Sequence, residues 1–260
     1  MDKDNKIALL IDAENVSSKY IKLIMDEVSD FGVATYKRIY GDFTQQHVSS
    51  WLNKLQDHAI TPVFQNNYTK GKNASDFALI IDAMDILYSG NVEGFCIVSS
   101  DSDFTKLAMR LRESGMKVIG MGEKKTPNSL VSACETFKFL DVIYKEDEGN
   151  EKEKEKLVVK EPKVVSVGEK DKEEEIDNIP SKEDIEKEII SIMTSKAGDD
   201  GWLNLAEIGN NLFKRIPGFD PRNYECLKLR QLIESFDSLE VRSVDNPHNN
   251  MLKIVYVRIK

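Results

Sequence analysis

The chain has 260 residues, of which 40% are hydrophobic and 31% are charged, and this is enough for two modest domains. Its apolar runs are much shorter than the roughly 20 residues that span a membrane, so we expect neither a transmembrane segment nor a signal peptide. The formal net charge of −9 argues against a nucleic-acid partner, but residues 146–180 alone carry −6, so the charge does not exclude RNA.

The cysteines indicate the redox environment. Cys96, Cys134 and Cys226 are odd in number, far apart and without metal-ligand spacing. This pattern predicts buried thiols in a reducing, cytoplasmic location and disfavours a zinc site.

Between residues 1 and 145, short apolar segments alternate with amphipathic ones. The apolar segments predict strands at Ile7–Ile11, Val33–Tyr40, Ile60–Phe64, Phe95–Val98 and Met116–Met121. The amphipathic segments predict helices at Ser17–Ser29, Gln45–Asp57, Ser75–Tyr88 and Asp103–Glu113. Such alternation is typical of an α/β domain, with a parallel sheet covered by helices on both faces.

Residues 146–180 break this pattern. They contain charged runs such as Glu151-Lys152-Glu153-Lys154 and no aromatic residue. A segment of this composition buries too little apolar surface to offset its chain entropy. We therefore predict a charged, flexible linker between two domains.

Residues 181–260 predict a small α+β domain. A helix begins at Ser181, with Asp184 completing a capping box, a second follows Trp202, and a third covers Tyr224–Phe236. Two strands, Leu239–Val244 and Met251–Val257, then flank a turn-rich segment. Three helices followed by a β-hairpin are the order of a winged helix.

Four aspartates stand where a functional site is expected in a parallel sheet. Asp12 ends the first strand, Asp101 and Asp103 follow the fourth, and Asp76 opens the helix after the third. The carboxyl ends of parallel strands share one edge, so these carboxylates meet if the first and fourth strands are neighbours. A single Asp after a strand is often only a helix N-cap, but four together favour binding of Mg²⁺ or Mn²⁺.

Other side chains near this edge are candidate substrate contacts. Two segments after strands carry the candidates for holding phosphates or stacking on a base, namely Tyr68, Lys70, Lys72, Asn73, Lys124 and Lys125. Asp82, six residues after Asp76, faces another side of the helix and is expected to support the packing. No glycine-rich phosphate loop is present, which disfavours nucleotide binding, and neither His47 nor His58 follows a strand, which disfavours a Ser-His-Asp hydrolase.

Three motifs resemble the signatures of the NYN domain, a branch of the PIN-like nucleases. They are Ile11-Asp12-Ala13-Glu14-Asn15, the segment from Lys72-Asn73-Ala74-Ser75-Asp76 to Asp82, and Ser99-Ser100-Asp101-Ser102-Asp103-Phe104. The resemblance implies a Mg²⁺- or Mn²⁺-dependent endoribonuclease. It implies catalytic and metal-binding roles for Asp12, Asp76, Asp101 and Asp103, with Asn15 orienting the first carboxylate or the substrate.

Residues 181–258 resemble the OST-HTH/LOTUS domain, a winged-helix module. The matching segments are Gly201-Trp202-Leu203, Pro217-Gly218-Phe219-Asp220-Pro221-Arg222-Asn223-Tyr224 and Leu227-Lys228-Leu229-Arg230-Gln231-Leu232-Ile233. The resemblance implies RNA binding or a contact with a protein partner, and Arg222 and Lys228 are the candidate RNA contacts. Many members have Gly after the tyrosine, where this chain has Glu225. Trp202 is expected in the core.

Three functions compete on the sequence. The first is a ribonuclease whose winged helix captures RNA, and the second is a non-catalytic RNA-binding adaptor that retains the nuclease fold. The third is an Asp-dependent phosphatase, which is disfavoured because Glu14, and not Asp, stands two residues after Asp12. The four-aspartate set favours the ribonuclease.

Overall fold

The computed structural model describes residues 5–64, 74–145, 179–198, 200–246 and 249–260. The predicted linker lies outside these residues, except for Ile179 and Pro180. The chain divides into two compact units, Met1–Asn178 and Ile179–Lys260, and each is described by itself. Across the described residues, no helix combines the length and the hydropathy needed to cross a membrane.

The first unit is built on a six-stranded sheet. Its strands are β1 (Lys6–Asp12), β2 (Val33–Gly41), β3 (Thr61–Phe64), β4 (Gly94–Val98), β5 (Lys117–Gly122) and β6 (Thr136–Phe139). All neighbouring strands are parallel. The apolar residues of the two central strands are buried on both faces, as helix-covered parallel strands require. The predicted α/β class is confirmed.

The strand order β3-β2-β1-β4-β5-β6 creates a switch point in the middle of the sheet. The chain runs outward from β1 to β3, returns to β4 and runs outward again to β6. The pairing of Ile11 with Val98 confirms that the first and fourth strands are neighbours. Ligands of open α/β sheets bind at such a point, outside the carboxyl ends of the strands.

Helices cover both faces of this sheet. They are α1 (Ile21–Ser29), α2 (Gln46–Ser49), α3 (Leu52–Leu55), α4 (Ala74–Ser89), α5 (Thr105–Glu113), α6 (Asn128–Ala133) and α7, the helical residues 140–145. The helix predicted over Gln45–Asp57 is instead two short helices. Trp51 lies between them, fully buried, and its Nε1 donates to the carbonyl of Val16 at 3.1 Å.

The sixth strand was not predicted. β6 has only four residues, and one of its two inner residues, Lys138, is charged, so its sequence carries no strong strand signal. Phe137 and Phe139 are buried on one face. On the other, the nearly buried Lys138 lies 3.6 Å from a carboxylate oxygen of Glu27 in α1. Tertiary pairing of this lysine therefore permits a strand that local pattern does not indicate.

The second unit combines three helices with a small antiparallel sheet. The helices are α8 (Lys182–Lys196), α9 (Leu205–Arg215) and α10 (Leu229–Glu234). The strands β7 (Leu203–Asn204), β8 (Leu239–Asn246) and β9 (Asn249–Ile259) pair in the order β7-β9-β8. As predicted, one face of α8 is buried in the core, and Ser181 Oγ caps its first turn by accepting from the Asp184 amide at 3.1 Å.

The third helix of this unit is shorter than predicted. Residues Pro221–Tyr224 form a 3-10 helix, and α10 begins only at Leu229. Between them Glu225 adopts a left-handed backbone with φ of 59°. This conformation costs an L-residue energy that glycine does not pay, which explains the glycine of many OST-HTH/LOTUS sequences at this position.

Candidate metal centre

The site lies at the switch point. Asp12 is the last residue of β1, and Ser99 directly follows β4. Both are buried, with exposed fractions of 2% and 0%. After Ser99 the chain turns into the 3-10 helix Ser102–Phe104, whose N-cap is Asp101. The two central strands thus deliver the first polar groups of the site.

Asp12 accepts four hydrogen bonds. Its Oδ1 accepts from the backbone amides of Glu14 at 3.0 Å and Asn15 at 3.2 Å. Its Oδ2 accepts from Asn15 Nδ2 at 2.8 Å and from Ser99 Oγ at 2.7 Å. Asn15 thus orients this carboxylate. Burial raises the pKa of Asp12, and the bonds from Ser99 and Asn15 oppose that rise.

Three further aspartates converge beside it. One carboxylate oxygen from each of Asp76, Asp101 and Asp103 lies within 4.8 Å of the other two. Asp76 lies in the first turn of α4, and Asp101 Oδ1 accepts from the Asp103 amide at 2.9 Å. Asp76 and Asp101 are partly buried and Asp103 is exposed. Among the residues described here, Asp12 does not belong to this oxygen cluster.

Burial and the crowding of negative charge both raise the pKa of Asp76. Its pKa is raised from 3.8 to about 6, first by burial and then by the negative charges of Asp12, Asp101, Glu14 and Asp103. Carboxylates this close do not all ionise without a compensating cation. The cluster is therefore an electrostatically incomplete site.

Glu14 is a site residue that the sequence interpretation did not assign. Its Oε1 accepts from Ser75 Oγ at 2.6 Å and from the Asp42 amide at 3.1 Å. It therefore links the end of β1 to the start of α4 and to the residue after β2. The available signal was its position in the first motif, two residues after Asp12.

Ser99 and Ser100 form the floor of the site and were also unassigned. Ser99 Oγ accepts from the Asp101 amide at 3.0 Å, and Ser100 Oγ accepts from the Glu123 amide at 2.9 Å. A Cβ at Gly122 would lie 2.7 Å from the Ser99 carbonyl oxygen, so β5 approaches this floor closely. Both serines belong to the third motif of the sequence, but only the tertiary structure shows which backbone amides they accept hydrogen bonds from.

Asp82 lies elsewhere on α4. Its carboxylate accepts hydrogen bonds from Arg38 and Tyr40, both on β2. Burial raises the pKa of Tyr40, and the bond to Asp82 raises it further. Asp82 thus anchors α4 to the sheet, which confirms its predicted supporting role.

The predicted substrate contacts of the first unit divide into two groups. Tyr68, Lys70, Lys72 and Asn73 lie outside the described residues. Lys124 and Lys125 lie in the turn after β5, where the Lys124 amide donates to Asp141 Oδ1 at 2.8 Å. Lys125 Nζ lies 2.8 Å from Glu123 Oε2, although its side chain is 70% exposed. Contact of these residues with RNA stays a prediction.

In the second unit, Arg222 and Lys228 differ in their surroundings. The Arg222 guanidinium donates twice to the buried Asp220, with Nε–Oδ1 of 3.0 Å and Nη2–Oδ2 of 2.9 Å. This geometry favours a structural role for Arg222. Lys228 is exposed just before α10. RNA contact by either residue stays a prediction.

Two domain families match the chain, one for each unit. The NYN domain family matches residues 6–141, and the OST-HTH/LOTUS domain matches residues 180–251. The uncharacterized protein MJ0482 of Methanocaldococcus jannaschii is 27% identical over 177 residues, covering 66% of this chain and 68% of that protein. The crystal structure of VPA0982, a protein of unknown function from Vibrio parahaemolyticus, matches at 18% identity with a TM-score of 0.44, covering 53% of this chain and 93% of that one.

The NYN match extends over more than half of the chain and contains every residue of the carboxylate cluster. The OST-HTH/LOTUS match begins after the segment that separates the two units. The chain therefore belongs to the NYN domain family and carries an OST-HTH/LOTUS domain after its NYN domain.

Proposed function

We propose that the NYN domain is a Mg²⁺- or Mn²⁺-dependent endoribonuclease and that the OST-HTH/LOTUS domain captures its RNA substrate. NYN domains have a PIN-like nuclease fold, and OST-HTH/LOTUS domains bind RNA. The observation that carries the proposal is the cluster of carboxylate oxygens from Asp76, Asp101 and Asp103 at the switch point of the sheet.

This donor set fits a hard divalent ion. All three ligands are carboxylate oxygens, and oxygens on opposite sides of a Mg²⁺ ion lie about 4 Å apart. Asp76, Asp101 and Asp103 would hold the ion, and Asp12 is the fourth predicted ligand. When bound, the ion would acidify the attacking water and neutralise charge at the scissile phosphate.

The chain's own residues prepare the reaction. Ser99 and Asn15 fix the buried Asp12 carboxylate behind the cluster. Asp103 is the exposed member of the cluster, so the carboxylate oxygen that it does not give to the ion would accept the proton of the attacking water. The water oxygen then bonds to phosphorus while the bond from phosphorus to the leaving ribose oxygen breaks.

The test is cleavage of a labelled single-stranded RNA by the full chain with Mn²⁺, with Mg²⁺ and with chelator. We expect cleavage only with a divalent ion, and an Asp101→Asn variant should lose at least about 100-fold in kcat. Asp85→Asn is the matched control, because Asp85 is an exposed aspartate on the same helix as Asp76 but outside the cluster.

Two outcomes would contradict the proposal. Equal kcat for Asp101→Asn and the parent chain would show that the carboxylate cluster has no role in catalysis. Tight RNA binding without cleavage under any divalent ion would favour the adaptor, in which the nuclease fold serves only as a scaffold.

A further inference from the structure

The outer face of the sheet in the second unit carries two arginines and two aromatic rings. We call this set the arginine–aromatic face: Trp202, Arg242, Tyr256 and Arg258. Arg242 Cζ lies 4.0 Å from the ring centroid of Trp202 and 5.7 Å from that of Tyr256. Arg258 Cζ lies 4.7 Å from the Trp202 centroid. Trp202, expected in the core, is only partly buried, and both guanidinium groups lie close to its ring.

The strand register places these side chains together. In the pairing of β8 with β9, Arg242 lies opposite Tyr256, and Glu240 lies opposite Arg258. Side chains alternate along a strand, so Val257, between Tyr256 and Arg258, points the other way, where it is fully buried in the core. The arginine–aromatic face is therefore the side of the sheet that faces away from the core.

The turn before Trp202 fixes its indole on this face. Gly201 has φ of 73°, and a Cβ there would lie 3.6 Å from side-chain carbons of Arg258. The Trp202 amide donates to Asp200 Oδ1 at 3.1 Å. The rings and guanidinium groups are thus arranged before any ligand arrives, which lowers the entropy cost of binding.

The arginines of this face and those of the helical side differ in their ion pairs. Arg258 is paired with Glu240 at 2.6 Å, whereas the exposed Arg242 has no carboxylate within 4.0 Å in the described part of the chain. On the helical side, Arg222 is paired with Asp220, and Arg230 lies 2.7 Å from Glu234.

The position of Arg242 over the Trp202 ring also leaves it able to bind an anion. The guanidinium group is planar, and its N–H donors lie in that plane. These donors match the oxygens of a phosphate. The face thus offers a phosphate-binding cation beside the ring of Tyr256, on which a planar group can stack.

We propose that the arginine–aromatic face is the surface on which the OST-HTH/LOTUS domain captures single-stranded RNA, with a base stacked on Tyr256 and a phosphate held by Arg242, which Trp202 supports. The choice of RNA as ligand rests on the proposed function. Unpaired bases expose their faces to aromatic side chains, whereas a duplex conceals them and offers mainly its backbone. The face should therefore prefer single strands over a duplex of the same sequence.

The test is fluorescence anisotropy of the full chain with a short labelled single-stranded RNA in chelator, which prevents cleavage. We expect Tyr256→Leu to weaken binding by about fivefold or more, the low end for loss of one stacked base. Arg242→Gln should weaken binding and reduce the dependence on salt by about one phosphate contact. Arg242→Lys keeps the charge but loses the planar stack, so it should rescue binding only in part.

Two lysine variants test where on the second unit the RNA binds. Lys214→Gln removes an exposed charge from α9 and should leave the affinity within about twofold. Lys228→Gln tests the helical side instead. A large loss at Lys228 together with unchanged affinity in Arg242→Gln and Tyr256→Leu would overturn the inference, as would equal binding of duplex and single strand. Circular dichroism of each variant verifies that the fold is intact.

Cleavage by the same variants separates this inference from the proposed function. If both hold, Arg242→Gln raises KM and leaves kcat unchanged, since it removes binding shared by substrate and transition state. If Arg242→Gln cleaves RNA with the KM and kcat of the parent chain, the inference is overturned and the proposed nuclease activity is unaffected. RNA binding that depends on the face, without cleavage, would support the inference and overturn the nuclease. Binding of an acidic phosphopeptide instead of RNA would overturn the inference.

Discussion

Replacing Asp76 by Asn should stabilise the metal-free protein. The substitution removes one negative charge from the carboxylate cluster at nearly constant volume. The pKa of Asp76 is raised from 3.8 to about 6 by burial and by four neighbouring acids. A shift of that size corresponds to about 3 kcal/mol at neutral pH. Asp76 is only partly buried, so solvent screening reduces the expected gain to about 1 kcal/mol.

The pH dependence follows from the sign of this shift. A carboxyl group whose pKa is higher in the folded state destabilises that state once it must ionise. The contribution of Asp76 to stability is therefore fully present below pH 3.8 and is lost as pH rises through about 6. The stability difference between Asp76→Asn and the parent should grow over this range and level off above it.

Calorimetry of the full chain in chelator and in Mn²⁺ is the assay. In chelator at neutral pH, 1 kcal/mol should raise the melting temperature of the first unit by about 2–4 °C. Saturating Mn²⁺ should reverse the order, because an ion at 100 times its Kd stabilises the parent by about 2.7 kcal/mol and the variant by less. Asp85→Asn, on the exposed face of the same helix, should change stability by less than about 0.5 kcal/mol. A destabilised Asp76→Asn in chelator, or equal stabilisation of both proteins by Mn²⁺, would refute the reasoning.

Three further predictions concern individual residues and the connection between the units. Ser99→Ala removes the donor to Asp12 Oδ2, so denaturant titration should show a loss of about 1–3 kcal/mol, and Mn²⁺ affinity should fall about 10- to 100-fold. Glu225→Gly relieves the left-handed backbone and should stabilise the second unit by about 0.5–1 kcal/mol in the same titration; destabilisation would mean that its side chain makes a contact worth more than the strain. Limited proteolysis should cut first between Lys145 and Ser181, because that segment has few apolar residues and a high charge, and early cleavage inside either unit would contradict the domain boundaries.

The α/β fold could be predicted because its central strands are strongly apolar and separated by helical patterns. Ile7–Ile11 and Phe95–Val98 are buried on both faces, and such runs are visible in the sequence alone. Strand β6 could not be predicted in this way, since Lys138 interrupts its apolar pattern and is buried beside Glu27, a contact that the local sequence does not indicate. The left-handed Glu225 precedes the late start of α10 at Leu229, and residue type gives no sign of this backbone conformation at a glutamate.

The location of the candidate site could be predicted from the ends of the strands, but the hydrogen bonds within it could not. Sequence spacing placed Asp101 and Asp103 after β4, and parallel topology then placed them near Asp12 and Asp76. Which carboxylates converge depends on the turn geometry around Ser99, and this is a tertiary property. For the same reason the hydrogen bonds of Ser99 and the role of Glu14 could not be derived from residue type and spacing.

The carboxylate of Asp12 differs from those of the other three aspartates in its hydrogen bonding and burial. An ionised carboxylate has about four lone-pair sites, and Asp12 already accepts four hydrogen bonds. It can bind an ion directly only by giving up one of these bonds. Burial raises its pKa, so its ionisation is favoured by a cation arriving at the neighbouring oxygens. Under the proposed function, Asp12 would therefore couple the sheet to the ion through its charge, while the oxygens that contact the ion would come from Asp76, Asp101 and Asp103.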